Sequence, residues 1–228
     1  MKQQAKVVVI GGGVVGVSAL YHLAKKGWGD DVVLVEKAEL TSGSTWHAAG
    51  LLPLFNMSYS VGQVHKYSVN LYGQLEEETG QPVGFKRVGN LRLAMNDDRM
   101  DEYYQDAATA RTIGIDVRVL TPDEIGKLWP LCNTEGLVGG IFHPEDGYIQ
   151  PADLTQALAK GARARGATIY RNTPVVAIEQ ATSGGWVVKT EKGDITCDHV
   201  ISASGNYARQ TGAMVGLDFP VIPVEHQF

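Results

Sequence analysis

The 228-residue sequence predicts a mixed α/β fold in which a parallel βαβ layer is interleaved with an antiparallel sheet. Three observations carry that expectation. Two β-branched runs without polar alternation, Lys6–Ile10 and Val32–Val35, have the composition of strands buried on both faces of a parallel sheet. Between them Val17, Leu20, Tyr21 and Leu23 recur at helical spacing. Farther along, short apolar runs at 168–170, 175–178, 186–190 and 195–197, with turns at Ser183-Gly184-Gly185 and Lys192-Gly193, are spaced as an antiparallel meander.

In chain order, the first strand stops at Gly11–Gly16, and the helix from Val14 to Lys26 is closed by Gly27 as C-cap. Residues 38–60 are rich in Ser, Thr and Gly, lack a sustained period, and are too long for a routine connector. A helix over 61–79 follows, then one or two strands in 84–95 broken at Gly89-Asn90. Residues 97–112 read as a charged, solvent-facing helix. Thr121-Pro122-Asp123-Glu124 is a capping box with proline at the first helical position, which starts a short helix to Leu128. Irregular strands fill 136–148, where His143, beside Pro144-Glu145, reads as a loop residue. Pro151 opens an Ala-rich helix to about Arg165. His199–Ala203 is a further buried strand ending in Ser204-Gly205-Asn206 ahead of a short helix, and 221–228 reads as a strand that stops.

Composition narrows the function classes. A chain of 228 residues with 44% hydrophobic content can bury a core without disulfides or metal. Twenty Lys and Arg against 25 Asp and Glu leave a net charge of −5, which argues against nucleic acid or an anionic membrane as partner. No apolar run approaches the roughly 20 residues that span a bilayer, so no membrane insertion is expected. Cys132 and Cys197 lie outside any CxxC spacing and suit a reducing compartment, the cytoplasm or, in a eukaryote, the mitochondrial matrix; no presequence is visible. No His, Cys, Asp or Glu group has metal-ligand spacing.

The chemistry-bearing motifs follow the first strand. Gly11-Gly12-Gly13-Val14-Val15-Gly16 is a GxGxxG sequence between a strand and a helix. Gly11 makes the tight turn, Gly13 lets the backbone approach a pyrophosphate at the helix N terminus with Val14 and Val15, and Gly16 allows close packing of helix on strand. Glu36 ends the second strand 20 residues after Gly16, followed by Lys37, where a carboxylate accepts hydrogen bonds from ribose hydroxyls and repels a 2′-phosphate. The alternative is a glycine-rich structural turn beside a strand-end Glu. GxGxxG alone does not separate FAD from NAD. The Ser42–Leu51 segment and the meander are departures from a nicotinamide dehydrogenase. The small residues of that segment, Gly43, Ser44, Thr45, Ala49 and Gly50, with Leu51 after them, suit close passage of an extended cofactor, with His47 in their midst.

On VVVIGGGVVGVSALYHLAKKG, VVLVEK, STWHAAGLL, DGYIQP, ISASGNYA and PVIPVEHQF, the sequence resembles the FAD-dependent amine oxidoreductases of the D-amino-acid oxidase superfamily, in particular the dimethylglycine and sarcosine dehydrogenase/oxidase branch. The resemblance implies a Rossmann-like FAD-binding domain interleaved with an antiparallel-sheet substrate domain, truncated at the C terminus. It implies that His47 carries the flavin through its 8α carbon, that Val176 meets the adenine, that Ser204-Gly205 forms a second pyrophosphate-side turn, and that His226 stands near flavin and substrate and influences amine protonation. Each residue has a plainer alternative: a hydrogen bond from His47 to noncovalent FAD, sheet core for Val176, an ordinary turn at Ser204-Gly205, and a core histidine at 226.

The same resemblance divides the chain into 1–85 and 149–216 for the FAD-binding domain, and 86–148 with 217–228 for the substrate domain. It implies oxidation of a small N-methylated amine, with oxygen or an electron-transfer protein as acceptor, and tetrahydrofolate as a partner only in a longer chain. The 228 residues alone are expected to be inactive. The alternatives are a noncatalytic flavin-binding subunit or fragment that needs a partner, and an NAD-dependent dehydrogenase.

Overall fold

A computed structural model describes residues 1–182 and 184–224 of the chain. In order, its elements are strand β1 (Gln4–Ile10), helix α1 (Val14–Leu23), β2 (Val32–Val35), β3 (Leu51–Leu52), α2 (Tyr59–Thr79), β4 (Lys86–Arg87), β5 (Asn90–Ala94), α3 (Asp97–Ile113), β6 (Arg118–Leu120), α4 (Pro122–Leu128), β7 (Gly139–His143), β8 (Gly147–Tyr148), α5 (Pro151–Arg163), β9 (Thr168–Tyr170), β10 (Val175–Gln180), β11 (Trp186–Thr190), β12 (Gly193–Ser202) and α6 (Ala208–Ala213). They form two compact units. The first comprises Met1–Ala49, Leu75–Val83 and the chain from Pro151 onward; the second comprises Gly50–Gln74 and Gly84–Gln150. Against the sequence-based division, residues 50–74 pack with the second unit, so that α2 contributes residues to both, and residues 217–224 stay with the first.

The first unit is built on a six-stranded sheet of order β10-β11-β12-β1-β2-β9. β1 lies parallel to both β12 and β2, with Val8 opposite Val200 and Val33, and β9 follows β2 in parallel register. Val8, Ile10, Val33 and Val35 join Ile178, Val188, Ile195 and Cys197 in one apolar cluster. Val7, Val9, Val32 and Leu34 alternate onto the opposite face and are equally buried. At roughly 1.5–3 kcal/mol per buried aliphatic side chain, this double-sided burial makes the strand ends a rigid platform. Helix α1 packs on α5 through the fully buried Tyr21, and a Cβ at Gly161 would stand 2.8 Å from its ring. Past α1, the chain makes one widened helical turn in which Gly27 takes φ +91° and ends the helical run.

One expectation about this sheet is corrected. The runs 195–197 and 199–203, read as two strands, are one ten-residue strand, β12. Its first half pairs antiparallel with β11 and its second half parallel with β1, so the meander extends the parallel sheet and is not a separate layer. Residues 221–224, read as the start of a strand, are not in one. Pro220 and Pro223 remove two of the backbone donors a ladder needs.

The second unit contains two three-stranded antiparallel sheets, β3-β8-β4 and β5-β7-β6. Helix α3 is not purely solvent-facing as expected. Met100, Tyr103, Ala107, Ala110 and Ile113 form a buried stripe, and Met100 and Tyr103 pack with Ala94 of β5 and Ile141 of β7. Asn96 caps α3 through the Arg99 N–H, and the expected capping box between Thr121 and Glu124 starts α4. Leu54, Phe55, Val69, Ala110, Ile113 and Ile115 make a second core cluster.

Candidate functional site

The end of β1 turns at Gly11, which takes φ +116° and donates its N–H to the Val35 carbonyl at 2.9 Å. A Cβ on Gly11 would stand 2.3 Å from the Ala203 carbonyl oxygen, and one on Gly16 would stand 2.0 Å from the Gly11 carbonyl oxygen. Neither separation is possible for real atoms, so both positions require glycine. Gly13 is the N-cap residue of α1; it supplies no capping side chain, and the first helical turn carries no acidic residue. The first turn itself thus brings no negative charge to the positive end of the helix dipole, and the neighbouring Val15 is 70% exposed.

Glu36 ends β2 with its side chain folded back on this loop. Its Oε2 accepts from the Gly12 N–H at 2.6 Å and its Oε1 from the Ala38 N–H at 2.8 Å, with the residue only 9% exposed. A carboxylate has roughly four acceptor positions, so two remain for further donors. The Glu36 carbonyl accepts from the Thr173 N–H at 2.8 Å, and that of Ala38 from Asn172 at 3.0 Å. Sequence reasoning missed Thr173, which lies three residues before Val176. Val176 itself is 54% exposed on β10, the outer strand beyond β11. The signal available was the continuity of the segment, since Val176 lies in the same stretch.

Ser204 and Gly205 come to the same place. Ala203 donates its N–H to the Ile10 carbonyl at 2.8 Å and backs Gly11, Ser204 Oγ is 3.0 Å from Ser202 Oγ, and Gly205 takes φ +56°. Tyr207, two residues on, lies under the Lys37 ammonium, which is 3.3 Å from its ring centroid. This cation–π contact ties the 204–207 turn to the end of β2. Tyr207 was not anticipated, and an isolated Tyr after a turn gives no sequence signal.

The Ser/Thr/Gly segment then crosses the α1 N terminus. Thr41 donates its N–H to the Gly12 carbonyl at 3.0 Å, and Trp46 donates to Thr41 O at 3.3 Å. Thr45, buried in a 3-10 turn over Ser44–His47, accepts the Val14 N–H on its Oγ1 at 2.9 Å. His47 is exposed, with Nδ1 3.1 Å from the Gly43 carbonyl and its ring edge-on to Trp46. A carbonyl can only accept, so in the neutral imidazole Nδ1 carries the proton and Nε2 the lone pair. Gly43 has open space at its Cβ position, and Ala49 is exposed. Gly50, at φ +78°, and Leu51 fall in the second unit. His226 lies outside the described residues.

The residues present thus fit a dinucleotide: glycines where the backbone must approach closely, a helix whose first turn carries no acid, and a strand-end carboxylate facing the loop. Among the described residues no group of three or more His, Cys, Asp or Glu could hold a metal ion. In the second unit His143 is corrected from loop to strand: it ends β7 only 1% exposed, and burial with the nearby Arg92 charge pushes its pKa down to about 4. Asp146, equally buried, is raised by burial despite the Leu54 N–H that binds its Oδ1 at 2.8 Å.

Residues 6–228 match the family of FAD dependent oxidoreductases designated DAO. The chain is 44% identical over 227 residues to the mitochondrial dimethylglycine dehydrogenase of Rattus norvegicus, covering 100% of this chain and 26% of the relative. It is 38% identical over 230 residues to the mitochondrial sarcosine dehydrogenase of Homo sapiens, covering 98% and 25%. Over 227 residues it is 37% identical to the mitochondrial pyruvate dehydrogenase phosphatase regulatory subunit of Mus musculus, covering 98% and 26%. The chain therefore spans about a quarter of the length of these curated relatives. Among solved structures, L-proline dehydrogenase from P. horikoshii superposes with a TM-score of 0.87 at 29% identity, over 95% of this chain and 57% of that one. A strand-turn-helix dinucleotide loop, its strand-end acid and a match that runs from Lys6 onward lead to one conclusion: the chain belongs to the FAD dependent oxidoreductase family.

Proposed function

We propose that these residues form the cofactor-holding part of a flavoenzyme that oxidises a small N-methylated amino acid such as dimethylglycine or sarcosine. The observation that carries the reading is the bonded circuit from Glu36 through Gly12 and Thr41 to the His47 turn, in a chain whose relatives include dehydrogenases of both compounds. The N–H groups of Gly13 and Val15 face the pyrophosphate beside Val14, whose own N–H is taken by Thr45 Oγ1, and the free acceptor positions of Glu36 take the adenosine ribose. Lys37 and Tyr207 flank that edge, the 173–176 segment borders the adenine, and Ser204-Gly205 closes the second side of the pyrophosphate. The segment Gly43, Ser44, Thr45 and Ala49 lines the path toward the ring, with the Nε2 lone pair of His47 as the point of covalent attachment.

Flavin held there would supply hydride acceptance from an N-methyl or α-carbon of the amine. The chain's task is to hold the dinucleotide and leave the amine neutral, since a protonated amine has no lone pair to assist hydride loss; His226 is assigned to that proton. Oxygen or an electron-transfer protein then takes the electrons, and tetrahydrofolate is a partner only in a longer chain. Two free thiols suit a reducing cytoplasm or matrix. No helix of the described residues is long and apolar enough to cross a membrane. The NAD-dependent alternative is set aside by the family to which the chain belongs.

The test is dye reduction by the purified full-length protein with dimethylglycine and with sarcosine. Turnover on the order of 1 per second or faster supports the reading. A second reading, a noncatalytic flavin-binding subunit, is favoured by the similarity to a regulatory subunit. It predicts bound yellow flavin with no turnover of either amine.

A further inference from the structure

The 3-10 turn that carries His47 is joined to the dinucleotide loop at two points. Thr45 Oγ1 accepts the Val14 N–H at 2.9 Å, although Gly13, the residue in N-cap position, has no side chain to do so. Thr45 thus caps α1 from a segment 31 residues away in sequence, which a local capping residue would make unnecessary. The second point is Thr41, whose N–H donates to the Gly12 carbonyl while its own carbonyl accepts from Trp46. Thr41 adopts φ +72°, one of only two non-glycine residues with positive φ among those described. For a β-branched side chain that conformation is costly and persists only where surrounding bonds over-determine it. Both observations have one geometric consequence: the backbone of the His47 turn is held in register with the α1 N terminus.

We propose that Thr45 is a positioning residue for the flavin link at His47, a role that rests on the covalent reading above. Its hydroxyl, through the Val14 N–H, fixes where Nε2 stands relative to a dinucleotide seated on Gly11–Gly16. Thr41 holds the other end of the same turn. The reaction so positioned forms a bond from Nε2 to the flavin 8α carbon in place of one C–H bond there. The imidazole loses its proton and the methyl group loses one, and with two electrons these reduce dioxygen to hydrogen peroxide, so atoms and electrons balance. Thr45 takes no part in that chemistry. It sets the approach distance, to which such reactions are sensitive: a misplacement of about 1 Å can cost about 100-fold in rate.

The experiment uses full-length protein prepared free of flavin and mixed with FAD in air. Three quantities are read: the rate at which acid-precipitable flavin appears, the affinity for FAD before linkage from flavin fluorescence, and the melting temperature. Thr45→Val, which keeps the shape and loses the acceptor, is expected to link roughly 10- to 100-fold more slowly with FAD affinity close to wild type. Thr45→Ser restores the hydroxyl and the rate. Glu191→Gln, at an exposed turn between β11 and β12, links at the wild-type rate and serves as the folded reference against which an early-melting Thr45→Val is read. Wild-type linkage by Thr45→Val, failure of Thr45→Ser to recover, or a rate loss matched by an equal loss of FAD affinity each overturns the positioning role. If the wild-type protein itself yields only acid-extractable flavin, the covalent reading fails and this role falls with it. That result is distinct from the others because it appears before any variant is made.

Discussion

Two buried carboxylates show how differently the two units treat polar groups. In the first unit both Glu36 oxygens receive backbone N–H donors, and the residue's own carbonyl is bonded as well. In the second unit Asp146 has one oxygen bonded to the Leu54 N–H, while its Oδ2, both ring nitrogens of His143 and the Asn90 carbonyl oxygen have no partner among the described residues. Asn90 and His143 face each other across the β5–β7 ladder. Buried polar atoms are nearly always satisfied, and each one left unmade costs on the order of 1–3 kcal/mol. The lesson is one of allocation. The dinucleotide loop is preorganised by bonds within the unit, whereas the second unit holds uncompensated polarity in its interior.

If that contrast is right, substitutions in the first unit act through geometry and those in the second through charge. The largest effect is expected at Gly16→Ala, where the new methyl would stand 2.0 Å from a backbone oxygen and must push α1 off β1. A loss of roughly 3 kcal/mol or more in urea unfolding, together with loss of FAD binding, is predicted. A near-neutral result would break the claim of a rigid loop.

Next comes Glu36→Ala, which strands the Gly12 and Ala38 N–H groups. Unfolding measurements should register about 2–4 kcal/mol, and FAD capture should weaken in parallel. Glu36→Gln retains one good acceptor and should fall between. Unchanged FAD capture in Glu36→Ala would remove Glu36 from the ribose site while leaving its structural bonds intact.

A smaller effect sharpens the other side of the comparison. The folded-state pKa of His143 is depressed from 6.5 to about 4, so between those values the unfolded chain binds the extra proton. Stability contributed by neutral His143 is therefore present above pH 6.5 and lost as pH falls toward 4. Between pH 7 and 5 the loss is about 2 kcal/mol. Asp146, shifted upward, works in the opposite direction over the range just above 3.8. His143→Phe should abolish the loss between pH 7 and 5 in paired urea melts, and a slope that persists in that variant would assign it elsewhere.

Legibility in the sequence follows the same division. β1, β2 and the glycine loop were readable because a strand buried on both faces needs an unbroken apolar run, and a turn at φ +116° needs glycine. The capping box at Thr121 was readable because both of its bonds are local. The continuity of β12 was not, since its two halves bond to different partners and only the fold supplies both. The buried stripe of α3 was hidden by the charges on its other face. Thr173, Tyr207 and the bond from Val14 to Thr45 escaped for a common reason: each joins segments distant in sequence through one side chain or one backbone group, with no periodicity to announce it.

The central claim is that the small-residue segment after Glu36 presents His47 to a flavin held on Gly11–Gly16. Its most direct test is to digest the acid-denatured full-length protein and locate the yellow peptide by mass. The account predicts flavin on the peptide containing His47, and none on any peptide of His47→Ala, which still binds FAD that acid releases. Flavin attached to another peptide, or acid-stable flavin surviving in His47→Ala, would contradict it.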